Sequence, residues 1–209
     1  IDTYEGLLTG NKIWQKRIQG VGVISGEDAI DLGVTGPSLR GSGVDWDLRR
    51  DQPYSGYENY DFEVIVEDGC DTWARYIARL KEMRESCNII HQALDKLKPG
   101  PVLADAPKIV LPAKQDTVNT IEGLIHHFKI ISEGFKPEVG EVYVGVENPK
   151  GEVGFYLVSD GSPRPYRMKI RPASFINLQA LPKMCEGSMI ADVVAVIGTL
   201  DIVLGEIDR

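Results

Sequence analysis

One stretch constrains the fold of this 209-residue chain more than any other. After Asp71-Thr72, apolar residues recur at Trp73, Tyr76, Leu80, Met83, Cys87, Ile90, Leu94 and Leu97, and Pro99-Gly100-Pro101 closes the run. Spacings that alternate between three and four place them on one face of a helix of about seven turns. Cys87 lies on that stripe and is expected as a small core residue rather than a reactive thiol. A second amphipathic run extends from about Gln115 to Ser132, with Val118, Ile121, Ile125, Phe128 and Ile131 on one face. Two long helices joined by a Pro-rich link predict an antiparallel pair in a bundle.

From Glu141 the period changes to two. Val142, Val144 and Val146 alternate, Pro149-Lys150-Gly151 turns, and Val153, Phe155 and Leu157 follow. After Asp160-Gly161-Ser162-Pro163, Tyr166, Met168 and Ile170 share the face of a third strand, so the stretch predicts a three-stranded meander. The opposite face of the third strand carries Arg167, Lys169 and Arg171, with Arg164 nearby; it suits a solvated face as well as the docking of an acidic partner or cofactor. Pro172 stops that strand. Ser174 or Asn177 could begin a short helix ending before Pro182, and Ser188 caps the apolar helix that follows. The fold class expected is α+β, a mainly helical bundle with a small antiparallel sheet.

The earlier part of the chain is more varied. Tyr4, Leu7, Leu8, Trp14 and Ile18 keep helical spacing up to Gly20, and no initiator methionine precedes them, so the chain reads as a fragment entered in mid-helix. Ser25-Gly26-Glu27-Asp28 caps a short helix closed by Gly33. Between Gly33 and Arg50, five glycine and proline positions punctuate a run carrying Arg40, Asp45, Asp47, Arg49 and Arg50. It reads as an ordered surface loop with Arg–Asp pairs; Gly41-Ser42-Gly43 is a weak phosphate-cradle signal without a preceding strand. Tyr60, Phe62, Val64 and Val66 alternate like a half-buried strand.

Apolar and charged fractions of 43% and 26% suit a soluble globular protein. A net charge of -8 argues against nucleic acid as a partner, and no apolar run approaches the roughly 20 residues of a membrane span. Cys70, Cys87 and Cys185 are odd in number and form no C-x-x-C pair, which points to a reducing compartment without a zinc site. His126 and His127 point about 100° apart on one helix and His91 is distant, so all three read as structural or surface residues.

The end of the chain is unusual. Met189 to Ile197 is its most apolar stretch, and Leu200, Ile202, Val203, Leu204 and Ile207 follow among Asp201, Glu206 and Asp208, with Arg209 last. Chain ends are usually polar and frayed, so this one is expected to be packed. Asp201 among apolar neighbours would be desolvated if buried, which suits a proton-handling site. Asp192, in the first turn of a helix, complements the helix dipole. The turn from Glu147 to Gly151 presents a carboxylate and an ammonium at a hairpin tip.

Three strings carry a resemblance to a known family. They are the run from Gly36 to Arg50 (GPSLRGSGVDWDLRR), the turn Glu147-x-Pro149-Lys150-Gly151-Glu152, and the tail from Asp201 to Arg209 (DIVLGEIDR). Together they resemble the D subunit of respiratory complex I, the proton-pumping NADH:quinone oxidoreductase, and the likeness extends to Ala74-Arg75-Tyr76 and Ile125-His126-His127-Phe128. It implies that residues 1–209 are the C-terminal half of that subunit, a single domain with a fold like the nickel–iron hydrogenase large subunit. Hydrogenases end in D-P-C-x-x-C-x-x-H, whose cysteines hold nickel. In this tail Asp201 keeps the aspartate, Val203 and Glu206 replace the cysteines, and Arg209 replaces the histidine. Valine cannot ligate a metal, so no metal site is expected. The turn matches the hydrogenases' Glu-x-Pro-Arg-Gly, so Lys150 should point toward the former metal cavity.

In complex I that cavity is understood as the quinone-head pocket. The resemblance therefore implies Asp201, Val203, Lys150 and Glu206 as quinone-binding residues, while the family's quinone-contacting His and Tyr lie in the other half. No cofactor is expected on this chain; quinone is the substrate and an iron–sulfur cluster sits on a neighbouring subunit. The implied partners are the B, C and I subunits and the membrane subunits H and A. The implied location is peripheral, on the cytoplasmic side of the bacterial inner membrane or the matrix side in mitochondria. A purely structural docking role, and the homologous component of a ferredoxin- or coenzyme F420-linked complex, are the alternatives.

Overall fold

The computed structural model describes residues 1–107 and 109–208. The first helical run is broken where its periodicity predicts continuity. Asp2–Tyr4 (α1) widens into a π turn, Glu5–Thr9, that ends at Gly10. A second helix, Lys12–Ile18 (α2), starts afresh because the Asn11 side chain accepts hydrogen bonds from the amides of Ile13 and Trp14. Ser25 caps Gly26–Asp31 (α3) as expected, taking the Asp28 amide at 3.1 Å.

The stretch from Gly33 to Arg50 departs most from expectation. It is not a surface loop: Val34, Ser38, Leu39, Arg40, Asp47 and Leu48 are all buried, on two short helices, Pro37–Arg40 (α4) and Leu48–Asp51 (α5), and the turns around them. The charges satisfy one another, and the glycines allow backbones to close up. A Cβ on Gly41 would stand 2.6 Å from Arg75 Cγ. Beyond a 3-10 turn at Tyr57–Asn59 the chain turns extended at Tyr60, and among the described residues the segment from Tyr60 to Val66 pairs with no strand. Side chains of the next helix take its amides instead: Asp61 N–H donates to Gln92 Oε1 at 2.9 Å, and Glu63 N–H to Glu85 Oε2 at 3.2 Å. Period-two alternation therefore marked an extended segment laid on a helix.

That helix is Thr72–Lys96 (α6), capped by Asp71, whose Oδ1 accepts from Ala74 N–H at 2.8 Å. Ala74, Arg75, Ala78 and Leu80 are buried, whereas Ile90, Leu94 and Leu97 on the distal turns are exposed. Cys87 is exposed too, so it is not the core residue its place on the stripe implied. The second long helix is in fact two, Lys114–Asn119 (α7) and Ile121–Ser132 (α8). Thr120 leaves helical geometry (φ -124°, ψ 144°), and its hydroxyl accepts from Gly123 N–H at 3.0 Å while donating to Asp116 O at 2.8 Å. The chain divides into two compact units, one of Ile1–Lys96, Val144–Gly154 and Ile170–Arg209, the other of Leu97–Tyr143 and Phe155–Lys169. Within the second unit α8 packs on α7, and α6 belongs to the first.

The meander forms as predicted: Gly140–Asn148 (β1), Gly151–Ser159 (β2) and Arg167–Arg171 (β3), in the order β1-β2-β3. Arg171 leaves the basic face inward, donating to Glu152 O at 2.8 Å and Gly33 O at 3.0 Å. Four helices complete the chain: Ala173–Leu178 (α9), Leu181–Cys185 (α10), Ile190–Leu200 (α11) and Leu204–Ile207 (α12). Ser188 is not the cap of α11. The helix starts after Met189, whose amide is taken by Asp192 Oδ2 at 3.0 Å, and Arg17 Nη1 meets the other oxygen at 2.6 Å. The apolar core of the first unit gathers Ile24, Ala29, Val34, Leu39, Met184, Val196 and Leu200. Among the described residues the architecture is α+β, and no helix is long and apolar enough to cross a membrane.

Candidate functional site

At the centre of the first unit one guanidinium organises three carboxylates. Arg40 is 1% exposed. Its Nε donates to Glu82 Oε1 at 2.8 Å on α6, and its Nη1 to Glu147 Oε1 at 2.9 Å on β1 and to Trp46 O at 2.9 Å. Asp47 Oδ2 stands 3.6 Å away and is itself held by the Arg49 fork at 2.6 and 3.0 Å. Burial pulls the Arg40 pKa down, but Glu82, Glu147 and Asp47 outweigh it and hold it above its ordinary value. For Glu147 burial dominates: its carboxyl is pushed up although Arg40 opposes the shift. Burial also acts to raise Asp47, yet Arg49 and Arg40 keep it below the usual carboxylate range.

Glu147 fixes the start of the β1–β2 turn, with its carboxylate seated in protein while Pro149 at the tip stays exposed. β1 is an edge strand, and the Tyr54 hydroxyl substitutes for a partner there: it accepts from Glu147 N–H at 2.9 Å and lies 3.3 Å from Glu147 O. On the other side, Gly36 and Gly151 meet backbone to backbone. A Cβ on Gly36 (φ 71°) would fall 2.4 Å from Gly151 Cα, and one on Gly151 (φ 131°) 2.8 Å from Thr35 O. Buried Asn177 on α9 ties both chains, accepting from Thr35 N–H at 3.0 Å and donating to Lys150 O at 2.8 Å.

This seat aims Lys150 at the end of α11. Its Nζ lies 2.5 Å from Asp201 Oδ2. Asp201 ends that helix in the left-handed conformation (φ 53°, ψ 49°), a position where Asp is tolerated at a cost of about 1 kcal/mol. The carboxylate is 41% exposed and paired, so Asp201 is not buried among its apolar neighbours. Of the four residues singled out from sequence, then, Lys150 and Asp201 meet. Val203 and Glu206 turn instead to the start of α9: Val203 N–H donates to Ser174 Oγ at 3.2 Å, and Glu206 Oε2 accepts from Ser174 N–H at 3.0 Å. The tail is less packed than its composition suggested, since Val203 is 41% and Leu204 74% exposed, although Ile202 packs on the core. Arg209 lies outside the described residues. Among the described residues no three His, Cys, Asp or Glu side chains are grouped so as to hold a metal ion.

Two cavities flank Asp201. One of about 560 Å³ is mostly apolar, lined by Trp14, Ile18, Tyr76 and Val194 with Arg79 and Asp201. The other, about 440 Å³, is charged, lined by Arg40, Arg49, Glu82 and Glu147 with the same Arg79 and Asp201. Arg79 is held to the last turn of α11 by its Nη2, which donates to Thr199 O at 2.5 Å, and burial lowers its pKa against the pull of Asp201 and Glu82. One turn earlier, buried Arg75 donates to Thr199 Oγ1 at 3.2 Å and to Gly22 O at 2.6 Å. Burial pulls it well down, and Arg79 adds to the effect. Sequence reasoning missed Arg79 and placed Arg40 on a surface loop. The signal was available for Arg79, which follows Arg75 by one helical turn beside the apolar stripe. For Arg40 the glycines around it hid a core position.

The molecule is thus an α+β protein in which a clamped hairpin brings one ammonium to a carboxylate at the end of a helix, and that carboxylate lines two cavities. A family model described as respiratory-chain NADH dehydrogenase, 49 Kd subunit, matches residues 1–209, and the chain belongs to that family. It is 70% identical over 209 residues to the D subunit of the NADH-quinone oxidoreductase of Trichlorobacter lovleyi, covering 100% of this chain and 54% of that protein. The corresponding D subunit of Geobacter metallireducens is 72% identical over 208 residues, covering 100% and 53%. That of Methylacidiphilum infernorum is 54% identical, covering 100% and 50%. The chain therefore spans about half the length of the curated relatives it matches.

Proposed function

We propose that this chain forms part of the wall of the quinone site in a proton-translocating NADH-quinone oxidoreductase, as the C-terminal half of a single-domain subunit. The observation that carries the reading is the Lys150–Asp201 contact at 2.5 Å, which sets a donor against an acceptor that itself lines an apolar cavity. An uncharged ring with two carbonyl oxygens suits such a setting, because burying the ring is favourable and each oxygen needs a donor. Electrons arrive from an iron–sulfur cluster on a neighbouring subunit; this chain supplies binding, orientation and polar contacts. Val203 and Glu206 are assigned to the same wall by the family resemblance alone, in a tail that descends from the nickel-binding end of hydrogenase-like ancestors. The B, C and I subunits and the membrane subunits H and A are the partners, and the location is peripheral to the membrane on the cytoplasmic or matrix side.

The test uses the assembled complex. Val203→Met is expected to change inhibitor sensitivity or quinone KM without loss of assembly, and unchanged kinetics and inhibitor response would remove the assignment. Asp201→Asn separates the structural alternative. If that variant prevents assembly while the complex that does form turns over quinone normally, the contact only holds the fold together.

A further inference from the structure

We propose that Arg79 is a positioning residue of this site: it is the reserve partner of Asp201, and it frees the Lys150 ammonium for a quinone carbonyl. The inference rests on the quinone-wall reading above. Asp201 Oδ2 faces two cations at unequal distances, Lys150 Nζ at 2.5 Å and Arg79 Nε at 4.0 Å. Arg79 Nε is buried and has no hydrogen-bond partner, while its Nη2 is occupied by Thr199 O. A buried N–H without an acceptor is costly, and a carboxylate shift of about 1 Å would bring this pair to charge-assisted hydrogen-bond length. Arg79 and Asp201 also line both cavities, so the carboxylate and its second cation stand at the cavity walls, and Lys150 reaches that carboxylate from the hairpin.

The chemistry follows from the count of partners. A ligand carbonyl that recruits Lys150 takes the ammonium away from Asp201, and a half-buried carboxylate stripped of its cation opposes that step. With Arg79 in place, Asp201 moves to Nε as Lys150 leaves. Both the carboxylate and the orphan N–H are then satisfied, and no charge is left alone. The exchange is between hydrogen-bond partners only, and no covalent bond changes.

The experiment measures reduction of duroquinone by the assembled complex, with ferricyanide reduction per complex as a control that reads electron flow ahead of the quinone. Arg79→Met is expected to raise the duroquinone KM about tenfold, the scale of one charge-assisted contact, with ferricyanide reduction unchanged. In a Lys150→Met background the same substitution is expected to add little, because the ammonium it would release is gone. A wild-type KM for Arg79→Met, or an equal increment in both backgrounds, overturns the proposal. If Arg79→Met does not assemble, Arg79→Lys carries the test. A lysine has no counterpart of the Arg79 Nε–H and lacks the fixed spacing of the guanidinium donors, so a raised KM is expected and a wild-type KM overturns the proposal. If Lys150→Met and Asp201→Asn both leave duroquinone kinetics unchanged, the quinone-wall reading itself is wrong; if they change it and Arg79→Met does not, only the role of Arg79 fails.

Discussion

Glu147 shows how one residue can belong to the fold and to the site together. It accepts from Arg40 while its neighbours lead directly to Lys150, and burial raises its carboxyl above the ordinary value of 4.5. A carboxyl with a raised folded pKa keeps its proton after the unfolded chain has released it. Its contribution to stability is therefore lost as pH rises from about 4.5 through the folded pKa. Asp47, with a lowered pKa, works the other way and loses its contribution as pH falls below 3.8. Glu147→Gln keeps an acceptor for Arg40 but has no proton to lose. The variant should gain on wild type progressively as pH rises through that window, measured by urea unfolding at stepped pH; parallel profiles would show that Glu147 does not titrate there. Nothing in the composition around Glu147 announced this, because its proximity to Arg40 arises from residues 107 apart in the chain.

Among the elements, the broken helix is the clearest case of local chemistry overriding periodicity. Val118, Ile121, Ile125 and Phe128 keep helical spacing across Thr120, and the pattern cannot distinguish one helix from two that share a face. The information lies in Thr120, whose hydroxyl serves the helix behind it and the helix ahead. Gly123 completes the break, since a Cβ there would sit 2.4 Å from Asp116 O. Gly123→Ala should therefore separate α7 from α8 despite the roughly 1 kcal/mol that Ala gains over Gly inside a helix. Faster amide exchange confined to residues 114–119 would be the sign, and unchanged protection would mean that α7 is held by something else. The meander and the α3 and α6 caps were legible because their signals are local: turn residues, alternation, and Ser25 or Asp71 at a helix start. The core position of Gly33 to Arg50 was not, because Arg40 finds two of its three carboxylates, Glu82 and Glu147, on α6 and β1.

For the whole molecule, the family was legible from three strings, whereas the geometry of the candidate site was legible only in part. Lys150 and Asp201 meet, a contact the strings did not state; Val203 and Glu206 face Ser174, which the sequence marked only as a possible helix start. The surface carries a further consequence. On α11, Val194 is 74% exposed and Ile190 91%, with Met189 beside them at 70%, so the most apolar helix shows one face to solvent. The purified chain should self-associate with rising concentration, more so when salt screens its net charge of -8. Ile190→Glu should weaken this in sedimentation velocity, and a monomer at every concentration would refute it.

The clamped hairpin tip also governs where length can vary. Arg40 and Tyr54 hold Glu147, while Gly36 and Asn177 hold Lys150 and Gly151, so neither strand can slide at that end. An inserted or deleted residue in β1 or β2 would exchange the two faces of the strand from that point onward. Such changes can be absorbed only at the far ends, in residues 134–139 and 160–166. Related chains should differ in length there while the stretch from Val144 to Gly154 keeps its count.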